Sequence, residues 1–107
     1  MYKCCTIYNM KAQPILIERI RYHDTAFSDI SVWRVPQPVK GSTHDYTYRL
    51  AYVVDEICVL RYDNETGKGD HRHYGNAEEP YTFTTLADLL ADFQADIARW
   101  NNENNRI

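Results

Sequence analysis

Leu86, Leu89, Leu90, Phe93, Ile97 and Trp100 recur at steps of three, one, three, four and three. That spacing draws one apolar stripe along a helix. Thr85 stands where an N-cap belongs, and Asp88 three residues on imitates a capping box. Asp88, Asp92 and Asp96 repeat at i, i+4, i+8 on another side. A row of carboxylates could bind metal, but a solvated helix face is the expectation. Asn101 to Asn105 is polar and is expected to fray.

Upstream the period changes. Ile15 to Tyr22 and Phe27 to Val35 read as strands separated by a His23-Asp24-Thr25 turn, with Pro36 and Pro38 ending the second. Val39 to Thr43 is a loop. Tyr46 to Val54 and Ile57 to Asp63 are two further strands, and Asp55-Glu56 fits a two-residue hairpin turn that lacks the favoured glycine. A regular ladder from that turn places Val54 opposite Ile57, Tyr52 opposite Val59, Leu50 opposite Arg61 and Tyr48 opposite Asp63 on one face. The other face then carries Val53, Cys58, Ala51, Leu60, Arg49 and Tyr62. Asn64 to Lys68 is a polar turn, His71 to Tyr74 a short fifth strand or extended loop, and Tyr81-Thr82-Phe83 a brief extended piece. The predicted fold is α+β: an antiparallel sheet of four to five strands against one long C-terminal helix.

With 107 residues the chain has the length of one domain. No run approaches the ~20 apolar residues of a membrane span, and the first residues lack the apolar core of a signal peptide. A cytoplasmic protein without a membrane partner is expected. Cys4 and Cys5 are adjacent and lack zinc-site spacing, and Cys58 lies in an apolar run. Free thiols are expected, with Cys58 as a small core residue. The net charge is −3, made of +1 over residues 1–74 and −4 over residues 75–107. Nucleic acid would therefore have to be gripped by a local basic patch. Most of the nine tyrosines are expected in the core or sheet.

The chemistry concentrates between Arg61 and His73, where two imidazoles, several cations and two glycines fall close together. In an extended backbone His71 and His73 project to one face and Arg72 to the other. A histidine pair suits metal-independent RNA cleavage, one ring taking the proton of the ribose 2′-OH and the other protonating the leaving 5′-oxygen. Arg61, Lys68 or Arg72 could stabilise charge on the phosphorane oxygens. Arg49, inside a strand, could aim at the same anion. Asp63 or Asp70 could fix a ring tautomer. Asp63, Asp70, His71 and His73 are also metal-ligand types, and a solvated charged loop would have the same composition. His44 and His23 read as solvated loop and turn residues.

Tyr48 to Asp55, Val59 to Glu65 and Gly67 to His73 together resemble the TumE family of small toxins of bacterial and archaeal toxin–antitoxin modules. Tyr81-x-Phe83 and Leu89-Leu90-x-Asp92-Phe93 fit the same pattern. The most diagnostic part is Asp63-Asn64 followed by His71-Arg72-His73, a D-N, spacer, H-[KR]-H arrangement. Asp70 stands where some relatives carry a further histidine, which argues against a three-histidine metal site. The resemblance runs from Met10 to Trp100. It divides the chain into an extra, dispensable segment 1–9, a single toxin domain 10–100 and a polar tail 101–107. It implies a toxin partnered by a helix-turn-helix antitoxin, with ribonuclease activity on an RNA substrate. The resemblance carries over to Asp63, Asn64, His71, Arg72 and His73, with Arg61 and Lys68 as neighbours. Together with the strand reading of Arg49, the expected site has His71, His73 and Asp63 as catalytic residues and Arg61, Lys68, Arg72 and Arg49 on phosphate. Asn64 and Asp70 support them, with no metal and no cofactor. A toxin that binds RNA, the ribosome or a protein without cleavage is the alternative, as is a metal-dependent nuclease or transferase. A homodimer is left open.

Overall fold

The computed structural model describes residues 12–106. Six strands run in sequence, β1 (Gln13–His23), β2 (Ala26–Arg34), β3 (Tyr46–Val54), β4 (Ile57–Glu65), β5 (Gly69–Tyr74) and β6 (Ala77–Pro80). They are followed by one helix, α1 (Leu86–Glu103). Each strand pairs antiparallel with its chain neighbour, so spatial order equals sequence order. The class is α+β as expected, but the sheet has six strands rather than four to five. The extra strand, Ala77–Pro80, is short, exposed and free of β-branched residues. A two-residue turn makes it possible, with Gly75 at φ 61°.

The stripe on α1 packs as its spacing requires. Leu89, Phe93 and Ile97 are buried against Leu50, Tyr52, Leu60 and Tyr62. Thr85 caps the helix by accepting from the Asp88 N–H at 3.0 Å. Asp88's carboxylate turns instead to the Thr84 hydroxyl at 2.6 Å.

Four expectations are overturned. The β3–β4 ladder is not regular beyond its turn. Val54 faces Ile57 and Val53 faces Cys58, but Tyr52 faces Leu60, so Val59 is an extra, bulged residue. From there Leu50 pairs with Tyr62, Ala51 with Arg61 and Arg49 with Asp63. One residue of slip exchanges the faces. It brings Leu60 and Tyr62 under the helix and sends Arg61 and Asp63 to the open side. Cys58 is exposed rather than a core residue. The aspartate row is not simply solvated: Asp96 is buried and accepts from the Tyr62 hydroxyl at 2.6 Å, and Asp92 accepts from Tyr81 at 2.5 Å. The tail is tied down at both ends of its described part, because Asn101 accepts from the Tyr52 hydroxyl at 2.7 Å and Arg106 donates to Thr25 at 3.0 Å. Segment 1–9, with Cys4 and Cys5, lies outside the described residues.

Candidate active site

The alternation of β4 and β5 sorts the conspicuous residues onto two sides of the sheet. Cross-strand pairs Asp63–His71 and Arg61–His73 stand on the open face, joined by Arg49 from β3 opposite Asp63. Asn64–Asp70 and Tyr62–Arg72 stand on the helix face. His71 and His73 thus share a side and Arg72 takes the other.

On the open face the Arg61 guanidinium links the group. Its Nε lies 3.1 Å from Asp63 Oδ2, an ion pair without hydrogen-bond alignment, and that Nε has no hydrogen-bond partner. Its Nη2 lies 3.0 Å from His73 Nε2. A guanidinium only donates, so His73 Nε2 accepts and the ring is neutral there. Glu78 Oε2 stands 3.6 Å from the same nitrogen and 3.5 Å from Lys68 Nζ. His71 Nδ1 is 3.0 Å from the Gly69 carbonyl, which can only accept. The Nδ1 proton is therefore fixed, and Nε2 is left for other work. Asp63 is buried against Arg61. Arg49 is exposed and has no hydrogen-bond or ion-pair partner among the described residues. The open face thus assembles a ring with an unencumbered nitrogen, a second ring beside a carboxylate, and cations.

Arg72 is elsewhere. It is ion-paired with Glu79 and lies 3.5 Å from Asp96 on α1, so its charge serves the sheet–helix contact. Asn64 donates to the Tyr46 carbonyl at 2.7 Å and accepts from the Tyr48 N–H at 3.0 Å, stitching β3 to β4. Asp70 accepts from Ser42 at 2.7 Å, Tyr48 at 2.6 Å and His44 at 2.7 Å. The ring that Asp70 orients is His44's, which is not solvated: it stacks 3.8 Å from Phe83. Burial first, and then the bond to Asp70, pushes the Tyr48 hydroxyl pKa far up, so it stays a donor. Gly41 and Gly69 let the 39–43 loop lie on β5, since a Cβ on Gly69 would sit 2.7 Å from the Gly41 carbonyl oxygen. Ser42 and Tyr48 escaped sequence reasoning because no local motif joins them to Asp70. Because Asp70 and the two histidines lie on opposite faces, Asp63, Asp70, His71 and His73 do not converge as ligands.

A family model described as toxin TumE matches residues 9–101. The chain belongs to the TumE toxin family. No curated protein and no solved structure matches it. Membership in TumE makes it a toxin of a toxin–antitoxin system and implies an antitoxin partner. Within this TumE chain the D-N and H-R-H residues do two jobs. Asp63, His71 and His73 occupy the open face, while Asn64 and Arg72 secure the other. No helix among the described residues is long and apolar enough to cross a membrane.

Proposed function

We propose that this TumE chain is a metal-independent endoribonuclease acting in the cytoplasm and held in check by a helix-turn-helix antitoxin. The observation that carries the reading is the presence of His71, His73 and Arg61 together on the open face. His71 Nε2 takes the proton of a ribose 2′-OH. The 2′-oxygen attacks phosphorus, the bond to the 5′-oxygen breaks, and that oxygen takes a proton from His73. The products are a 2′,3′-cyclic phosphate and a 5′-hydroxyl. For this His73 must be protonated at Nε2, and two donors cannot then face each other. Protonation ends the contact with Arg61, whose guanidinium is then released to the phosphorane oxygens. Asp63 positions Arg61 rather than a ring, and Arg49 and Lys68 add positive charge for the phosphates.

His71→Ala and His73→Ala are expected to relieve growth inhibition, to lose roughly 10²–10⁴-fold in RNA cleavage, and to melt like the parent. His71→Lys keeps a positive charge but cannot titrate near neutral pH, so it is expected to be inert. A His71→Lys chain that remains toxic without cutting RNA would establish a non-catalytic toxin instead.

A further inference from the structure

Two shallow grooves of about 380 Å³ each lie side by side on the open face and share Arg49. One passes over Ile17, Arg19 and Ser31, the other over Arg61 and Asp63. The register explains why they join. Ile17, Ser31, Arg49, Asp63 and His71 form one unbroken line across five strands. Arg19, Asp29, Ala51, Arg61 and His73 form the next. Ser31 and Ala51 are small and make a low floor in the middle. Alternation along β2 puts Trp33 and Phe27 on the same face at either side of it.

Both aromatic rings are half-buried. Trp33 Nε1 donates to Ser31 Oγ at 3.2 Å, which leans the indole along the floor. Phe27 carries the Arg19 guanidinium 4.2 Å from its ring centre, with Arg21 at 5.3 Å. Aromatic and guanidinium planes are the surfaces on which unpaired bases stack. On this face Arg19 is paired with Asp29 and Arg61 with Asp63, which leaves Arg49 as a cation without a partner among the described residues, while Asp88, Asp92 and Asp96 belong to the helix layer on the opposite side. From β5 to β2 the distance is three strand spacings, about 14 Å, room for a few nucleotides.

We infer that this trough holds single-stranded RNA. Its phosphates track Arg49 and Arg61, and its bases stack on Trp33 and on the Phe27–Arg19 pair beside the histidines. The inference rests on the ribonuclease reading and adds the substrate's form. A duplex has its bases already stacked and would not present them to these rings.

The test is fluorescence anisotropy of the full chain with a ten-nucleotide 2′-O-methyl RNA, which cannot be cut, free or annealed to its complement. The single strand is expected to bind at least ~10-fold more tightly than the duplex. Trp33→Ala and Arg49→Ala are each expected to weaken it about 10-fold, with Trp33→Phe within ~3-fold of the parent. Melting curves verify folding, and Arg49→Ala, at an exposed position, guards against an unfolded Trp33 variant. Equal affinity for duplex, or single-strand binding indifferent to Trp33 and Arg49, overturns the trough while leaving the ribonuclease reading intact. Loss of antitoxin capture by the Trp33→Ala chain with RNA binding unchanged also overturns it, and gives the face to the partner. Absence of RNA binding together with absence of cleavage sinks both readings.

Discussion

Asp70 shows how a residue in a conspicuous motif can be structural. Its two oxygens take three side-chain donors, from Ser42, His44 and Tyr48, and so bind the loop after β2 to β3 and β5. Replacing it with alanine leaves those donors without their acceptor, at about 1–3 kcal/mol for each buried group. Asp70→Ala is expected to cost about 3 kcal/mol, and thus more than ~10 °C in melting temperature. An unchanged melt would show that the cluster does not hold the loop. The facing of His71 and His73 was legible because alternation in a strand is a local property. The loop histidine was not. His44 acquires its partners through contacts spanning 26 residues in sequence, to Asp70, and through the stack on Phe83. Asp63 meets His71 only through the β4–β5 register, which no single strand encodes, whereas its contact with Arg61, two residues away on β4, follows from alternation.

At the scale of elements, β3 was read with its observed limits and α1 with its cap, since both have strong periodicity and clear boundary residues. What was hidden lies in pairings. Val59 alternates like any strand residue, yet the bulge there lets Leu60 and Tyr62 join the buried face. Burial of two large side chains outweighs one broken ladder rung. The β3–β4 turn itself is strained: Asp55 and Glu56 hold φ of 52° and 69°. Left-handed backbone costs an ordinary residue about 1–2 kcal/mol, whereas glycine adopts it freely but loses more entropy on folding. Glu56→Gly is therefore expected to stabilise the domain by about 0.5–1 kcal/mol. The gain would appear as a higher urea midpoint with an unchanged slope. A lower midpoint would mean that Glu56 makes a contact worth more than the strain. Asp55 should be kept, because Arg106 lies 3.5 Å from its carboxylate.

Across the whole molecule, hydroxyl-to-carboxylate bonds bind the helix layer to the sheet side. Tyr62 reaches Asp96, Tyr81 reaches Asp92 and Tyr74 reaches Glu103. Burial, reinforced by these carboxylates, raises all three phenol pKa values, that of Tyr74 to about 12. A group whose pKa is raised by folding stabilises fully below its unfolded value, near 10, and loses that contribution as pH climbs through the folded one. The melting temperature is expected to fall steeply above about pH 10, with tyrosinate absorbance of the folded chain lagging behind that of the urea-unfolded chain. Coincident titration curves would show the phenols to be free of the helix layer. The simple order of the strands has a consequence in time. A meander pairs each strand with the one just made, so the sheet can grow as the chain emerges from the ribosome. Its inner face, however, is covered by residues 86–103, which follow every strand they cover. At roughly 5–20 residues per second, the histidine-bearing hairpin waits about 1–6 s for its roof. A nascent chain thus passes through an interval in which every strand is already made and the inner face of the sheet has no cover.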